Sequence, residues 1–362
     1  MKNLAKNRII GIDVARALAV IGMIIVNFKV VFGENGGGWL KSFAGIFDGK
    51  AAATFVVLAG VGLALMTNAS FRNRDEEKLK KAQIRILKRA IFLFIVGLSY
   101  ILIWPADILH FYGVYMLITA LFITQPKKFA LTTGILLIAL YPVLLTSWNY
   151  ESGWNFTTLD YPDFWTAKGF VKNLLFNGFH PVLPWLAFML VGFWFGRQRL
   201  NDNCFVMTSF FVWLISFILV QLISFAAVHF LSEGDPIIKR ELQEFLGTDP
   251  MPPLPIYMFS GISIAITITS ACILIAKKFE QSKIIDALRK TGQLALTFYA
   301  AHVIIGMGIV EAIDPEKMGN YSIEFSVIYA LVFSALCIVF AIIWRKRKKS
   351  GPLESIMRKL TD

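Results

Sequence analysis

The chemistry open to this chain rests on four histidines and a handful of acids and amides. His110 follows Asp107 by three residues, in the run Asp107-Ile108-Leu109-His110-Phe111-Tyr112-Gly113. That spacing puts a carboxylate one helical turn from an imidazole, where it can orient the ring as a general base. His180 precedes Pro181, His229 ends one apolar run, and His302 lies in the middle of another. Asp13 and Arg16 are three apart near the start of the first apolar run, hence on one face, and Asn27 and Lys29 stand near its end. An ionisable group inside a membrane span costs roughly 2.5–3.5 kcal/mol on insertion scales, so each is a functional candidate. Such a set offers a base, hydrogen-bond donors and cations that can contact an anionic ligand. The candidate catalytic residues are therefore His110 (the preferred base), Asn27, Asp107, His180 and His302. Arg16, with Asp13 beside it, is the first candidate contact for an anionic cytoplasmic ligand, and Arg89 and Arg197 are weaker ones. A packed, hydrogen-bonded histidine is the alternative at each position, and a structural ion pair is the alternative for Asp13 and Arg16. No His pair at i, i+4 and no Cys/His spacing points to a metal, and there is no phosphate-loop, dinucleotide or nucleophile-elbow motif.

These residues must be held by membrane-spanning helices. The 362 residues are 56% hydrophobic and 17% charged, against about 25% charged in soluble domains. About 20 apolar residues span the hydrocarbon core as a helix, and loose backbone groups cannot be satisfied there. The apolar runs lack the alternation of barrel strands. The expected fold class is all-α, a polytopic membrane helix bundle with about ten transmembrane helices. They are expected near 9–32, 48–68, 88–105, 107–124, 129–147, 181–197, 204–231, 255–276, 294–313 and 322–344. Residues 1–345 form the helical domain and 346–362 a basic cytoplasmic tail. Of the 36 Lys and Arg, 27 fall in segments that lie on one side of a ten-helix arrangement, which puts both termini in the cytoplasm. That accounts for the net charge of +12 through topology and attraction to anionic lipids, with no nucleic-acid partner. The first apolar run has no small-residue cleavage site and reads as a span rather than a signal peptide. Cys204, Cys272 and Cys337 fall in or beside spans, so no disulfide framework is expected.

In this arrangement Asn27, Asp48, Asp107, His110 and His180 share the outer third of their helices, and His302 lies near the midplane. Ala52, Ala53, Ala59, Gly60, Gly62 and Ala64 in the second helix permit close helix packing. Such small-residue stripes serve contacts within and between subunits alike, so a homo-oligomer stays open. The outer segment 148–180 carries Trp148, Tyr150, Trp154, Phe156, Tyr161 and Trp165, either as an interfacial belt or for stacking on a sugar-like acceptor. Residues 164–176 read as a short interfacial helix.

Several of these motifs, taken in order, resemble heparan-alpha-glucosaminide N-acetyltransferases and their YeiB-type bacterial relatives. They are Arg8-Ile9-Ile10-Gly11-Ile12-Asp13-Val14-Ala15-Arg16 running to Val26-Asn27, then Phe47-Asp48-Gly49-Lys50, and then Asp107 to Gly113. Asn177-Gly178-Phe179-His180-Pro181-Val182-Leu183-Pro184-Trp185, ending in Gly196-Arg197, and Thr291-Gly292-Gln293 complete the series. The resemblance implies a transmembrane acyltransferase that takes an acetyl group from acetyl-CoA on the cytoplasmic side. It delivers the group to a sugar amine or hydroxyl on the other side. Asn27 matches a catalytic Asn of the animal enzymes. Their His about eleven residues later has no counterpart in Gly36-Gly37-Gly38-Trp39. The expected partners are acyl-CoA, a sugar-containing acceptor and anionic lipids, in a plasma membrane. A transporter or flippase of a small anionic or lipid-linked solute, using midplane His302 and Pro105, is the competing reading. A non-catalytic scaffold is a third.

Overall fold

A computed structural model describes residues 8–156 and 158–362. Among the described residues the chain is helical. The only extended pairings are isolated bridges, Asn35 with Ser322 and Asn155 with Asp160. The helices are α1 Ile10–Phe32, α2 Trp39–Gly45, α3 Lys50–Arg72, α4 Glu76–Ser99, α5 Leu109–Thr119, α6 Lys127–Ser147, α7 Ala167–Lys172 and α8 Val182–Gly196. They continue as α9 Asn203–Leu231, α10 Pro236–Leu246, α11 Pro255–Lys278, α12 Lys283–Gly292, α13 Ala295–Ala301, α14 Gly308–Ile313, α15 Ile323–Arg347 and α16 Pro352–Thr361.

Each of the ten expected spans has a helix at its place. Seven are long and apolar enough to cross a membrane, and α7 with its following π-turn plus α8, bent by 46°, pass the same test together as a broken span or a re-entrant loop. The protein is a multi-pass membrane protein. The two remaining helices fall short for different reasons. The first half of α4, from Glu76 to Arg89, is charged. With its 3-10 extension α5 covers only Leu109–Phe122, about 21 Å at 1.5 Å per residue against a core of about 30 Å. Polar caps set several starts. The Asp75 carboxylate accepts from Lys78 N at 3.0 Å before α4, Asp235 caps α10, and the Ser322 hydroxyl accepts from Phe325 N before α15. Such caps contribute about 1 kcal/mol each.

The chain divides into two compact units, and α3, α9 and α11 each begin in one and end in the other. The first comprises Met1–Leu58, Arg199–Val212 and Ala265–Leu360. In it α1 is the central helix. Gly11 abuts the Ile273 backbone of α11 and Gly292 abuts the Asp13 carbonyl, both too closely for any side chain. Phe28 and Phe32 of α1 pack on Tyr329 of α15. The expected tail folds as α16 and docks. Glu354 accepts hydrogen bonds from Thr297 N at 3.1 Å and Thr297 Oγ1 at 2.5 Å, and burial pushes its carboxyl above the usual range.

The second unit comprises Ala59–Gln198, Trp213–Ile264 and Thr361–Asp362. Here the small residues of α3 serve the packing expected of them. Gly60 lies against the Met189 carbonyl of α8, and Gly196 of α8 lies against Val61 and Ala64. Apolar attraction adds little inside a bilayer, so helices that touch backbone to backbone gain dispersion energy that larger side chains would forfeit. Gly113 of α5 fits against the Ala90 carbonyl of α4 in the same way. This contact holds the start of α5 against the end of α4.

Candidate functional site

Asp107 and His110 meet at that α4–α5 junction. The turn after α4 carries Asp107, and α5 carries His110 on its first turn. Gly97 of α4 has no side chain where Asp107 Oδ2 and the His110 backbone N come closest. Asp107 Oδ2 accepts from the His110 backbone N and lies 3.1 Å from His110 Nδ1, while Tyr100 Oη donates to Asp107 Oδ1 at 2.6 Å. Asp107 Oδ2 as a carboxylate oxygen only accepts, so Nδ1 carries the imidazole proton. In the neutral ring Nε2 is then the lone-pair nitrogen. It is buried, with no hydrogen-bond partner among the described residues, in a side chain 1% exposed. An oriented imidazole with an unpartnered Nε2 has the chemistry a general base requires.

One other expected residue, His180, lies close by in the same unit. The Phe111 ring stands 4.0 Å from the His110 ring and 5.9 Å from the His180 ring, centroid to centroid, so the two histidines flank one aromatic side chain. His180 is boxed in by Trp185 at 4.5 Å, and its backbone carbonyl accepts from Tyr115 Oη. His229 is not part of this group. It stacks on Phe225 of α9.

Beside the pair, the 148–180 segment forms an aromatic wall rather than a single interfacial helix. A 3-10 turn Pro162–Trp165 precedes α7, and a π-turn Asn173–Asn177 follows it. Asn177 pins the loop: its Nδ2 donates to the Tyr150 and Ser152 carbonyls, and its Oδ1 accepts from Tyr161 Oη. Trp154 Nε1 donates to the Asn177 carbonyl at 2.6 Å. Phe164 extends from this wall to within 6.2 Å of the His110 ring.

Asn27 and His302 belong to the first unit. Asn27 Nδ2 lies 2.8 Å from His302 Nε2. α1 supplies the amide and a π-turn, His302–Met307, supplies the imidazole. Tyr299 and Phe28 pack on the His302 ring. Toward the end of α1, Lys29 Nζ donates to Asp48 Oδ2 at 2.6 Å.

The basic candidates sit at other helix ends. Asp13 accepts from Arg8 at 2.7 Å, Arg16 at 2.9 Å and Gln293 at 3.2 Å. A cleft of about 270 Å³ opens there, lined by Arg8, Gly11, Lys277 and Glu280. Asp13 lies fourteen residues before Asn27 on the same helix, about 21 Å along its axis. Arg197, at the end of α8, is 8% exposed and lies between the rings of Phe71 and Phe193, at 4.1 and 4.9 Å. Its Nη2 donates to Thr67 Oγ1 and the Ile123 carbonyl. Arg89 donates to Asp362 at 2.7 Å.

The sequence reading gave no role to Tyr100 or Gln293. Tyr100 could have been noticed as the polar residue seven positions before Asp107. Gln293 lies in a motif already singled out, Thr291-Gly292-Gln293.

The comparisons with known proteins place these residues in a family. A family of proteins of unknown function (DUF418) matches residues 194–362. A search of curated proteins finds no match. The family model described as heparan-alpha-glucosaminide N-acetyltransferase, catalytic, matches residues 8–217. That segment contains Asp13, Asn27, Asp107, His110, His180 and Arg197 but not His302. It covers more than half of the chain, and the protein therefore belongs to the heparan-alpha-glucosaminide N-acetyltransferase catalytic family.

Proposed function

We propose that this protein transfers an acetyl group from acetyl-CoA to an amine or hydroxyl of a sugar on the far side of the membrane. One observation carries the reading: an oriented Asp107–His110 pair with a buried, unpartnered Nε2, inside the segment that matches the acetyltransferase family. His110 Nε2 takes the proton from the acceptor as its nitrogen or oxygen bonds to the thioester carbonyl carbon. The carbonyl π electrons move to oxygen, then return as the carbon–sulfur bond breaks. The proton held on Nε2 passes to the departing thiolate, so the base is restored. Asp107 fixes the tautomer and steadies the imidazolium, and Tyr100 fixes Asp107.

Acetyl-CoA carries phosphates that need cations. The cleft at Arg8 and Lys277, with Arg16 alongside on Asp13, fits that need. Three cationic side chains there face two carboxylates, Asp13 and Glu280, leaving positive charge for an anion. Arg197 fits it less well, since two aromatic faces already flank its guanidinium. The charge bias of the loops supports a plasma-membrane protein with both termini in the cytoplasm and anionic lipids at the basic ends.

A second residue-level reading has its own support: Asn27, matching a catalytic Asn of the animal enzymes, holds His302 Nε2 at 2.8 Å. Membranes holding the protein are incubated with radiolabelled acetyl-CoA and an amino sugar. Labelled N-acetyl sugar is expected, with loss of label transfer in His110→Ala at normal expression. Transfer lost in His302→Ala but kept in His110→Ala assigns the base to His302. No transfer by wild type, together with solute uptake into proteoliposomes, favours the transporter.

A further inference from the structure

The end of α15 and the two short helices α12 and α16 gather cations beyond those that face the cleft at Arg8 and Lys277. Arg289 and Lys290 share the single carboxylate of Asp286, as Arg8 and Arg16 share that of Asp13. Arg345, in the last turn of α15, lies within electrostatic reach of Arg8, Arg289 and Arg358, with Asp13 opposing them. Like charges gathered in this way repel one another, and an anion set among them relieves the repulsion.

Arg345 shows where such an anion docks. Its Nη1 donates to the Lys348 carbonyl at 3.0 Å. Its Nε is buried and meets no acceptor among the described residues. The Nε–Nη2 edge carries the two parallel N–H groups that grip a phosphate at two points, and Nη1 lies outside that edge. A buried N–H without an acceptor costs free energy that a phosphate oxygen recovers.

The surroundings select the molecule that carries the phosphate. α16 presents Ile356 and Leu360, four apart and so on one stripe, 48% and 64% exposed. Arg358 and Lys359 stand between them in the chain. α12 presents Ile284, 71% exposed, next to Lys283. Exposed apolar side chains with cations beside them mark a helix that lies in the lipid–water interface. Each of these helices follows a long apolar span, α11 or α15, after a link of four residues. Trp344 Nε1 donates to the Ser350 carbonyl at 2.9 Å, which ties the second link to the end of its span. A soluble phosphate would meet the cations and leave the apolar groups in water. A phospholipid covers both.

We propose that the end of α15 with α12 and α16 binds an anionic phospholipid, its phosphate on the Nε–Nη2 edge of Arg345 beside Arg289 and Arg358, and its chains against Ile356 and Leu360. The proposal rests on the reading that anionic lipids meet the basic ends, and not on acetyl transfer. The purified full chain in dodecyl maltoside is titrated with phosphatidylglycerol or with phosphatidylcholine, and bound lipid is counted by native mass spectrometry. Phosphatidylglycerol is expected to bind saturably and about tenfold more tightly than phosphatidylcholine. Arg358 is exposed, so Arg358→Gln keeps the fold, as size-exclusion chromatography verifies for it and for Arg345→Gln. Each variant is expected to lower phosphatidylglycerol affinity about fivefold, the worth of one cation at an anionic surface, and to leave phosphatidylcholine unchanged. Ile356→Ser combined with Leu360→Ser should weaken both lipids alike. Equal binding of the two lipids by wild type, or a preference that both arginine variants keep, overturns the site. Displacement of bound phosphatidylglycerol by pyrophosphate assigns the arginines to a soluble phosphate and overturns the lipid. Acetyl transfer is assayed on the same samples. Transfer without lipid preference refutes the lipid site alone, and lipid preference without transfer refutes the acetyltransferase reading alone.

Discussion

Gly97 gives a sharp test of the active-site geometry. A methyl at Gly97 would stand 2.5 Å from Asp107 Oδ2 and 3.0 Å from the Leu109 carbonyl carbon, and closer still to the His110 backbone N. Ordinary contact for such a methyl begins at 3.4 Å. Asp107 and the start of α5 must therefore retreat by about 1 Å in Gly97→Ala, and a displacement of that size costs about 10²-fold in rate. Overpacking adds about 1–3 kcal/mol of strain, partly offset by the higher helix propensity of alanine, about 1 kcal/mol. Gly113→Ala is the matched control. Its methyl would meet the Ala90 carbonyl at 2.6 Å and Phe94 N at 2.9 Å, straining the same pair of helices without touching Asp107. The measurement is initial-rate transfer of labelled acetyl, normalised to protein by fluorescence-detected chromatography, with the melting temperature in detergent beside it. Both variants should lose similar stability. Only Gly97→Ala should lose about 10²-fold in transfer, and Gly113→Ala should stay within about tenfold of wild type. Equal loss in both, or full activity in Gly97→Ala, refutes the placement of the reaction at Asp107 and His110.

Asn27→Ala removes the 2.8 Å contact to His302 and leaves a buried ring nitrogen without that partner, so thermal unfolding should show a loss of about 1–3 kcal/mol. Arg197→Ala removes a guanidinium held between two rings and bonded to two oxygens, and a lower melting temperature equivalent to about 2 kcal/mol is expected, with Arg197→Lys recovering only part because it cannot stack or fork. The Glu354 carboxyl titrates above its ordinary value because it is buried. A raised folded-state value means the folded form holds the proton more tightly, so its contribution is full below the unfolded value of about 4.3 and fades as pH rises through the folded one. Hydrogen-exchange protection of α16, taken relative to the intrinsic exchange rate at each pH, should therefore fall from pH 4.5 to pH 7.5, and Glu354→Gln should flatten that change; an unaltered pH profile in Glu354→Gln counts against it.

Helix positions and the Asp107–His110 pairing were legible in the sequence because each is local. Twenty apolar residues make a span wherever they occur, and a three-residue offset makes neighbours on any helix. The small residues at Gly60 and Ala64 likewise announced a close approach, since only backbone contact uses them. Faces were harder. Lipid and protein interior are both apolar, so a span carries little periodic signal. Phe188 is fully buried and Phe225 is 68% exposed, and nothing in their sequence surroundings separates them. Tertiary structure alone decided which distant groups would meet. It brought His302 to Asn27 across 275 residues and Gln293 to Asp13 across 280, and set Arg197 between two rings. It also wound residues 173–177 into a π-turn. These outcomes depend on helix crossing angles, and those follow from many small packing contacts summed over the fold rather than from the spacing of any one segment.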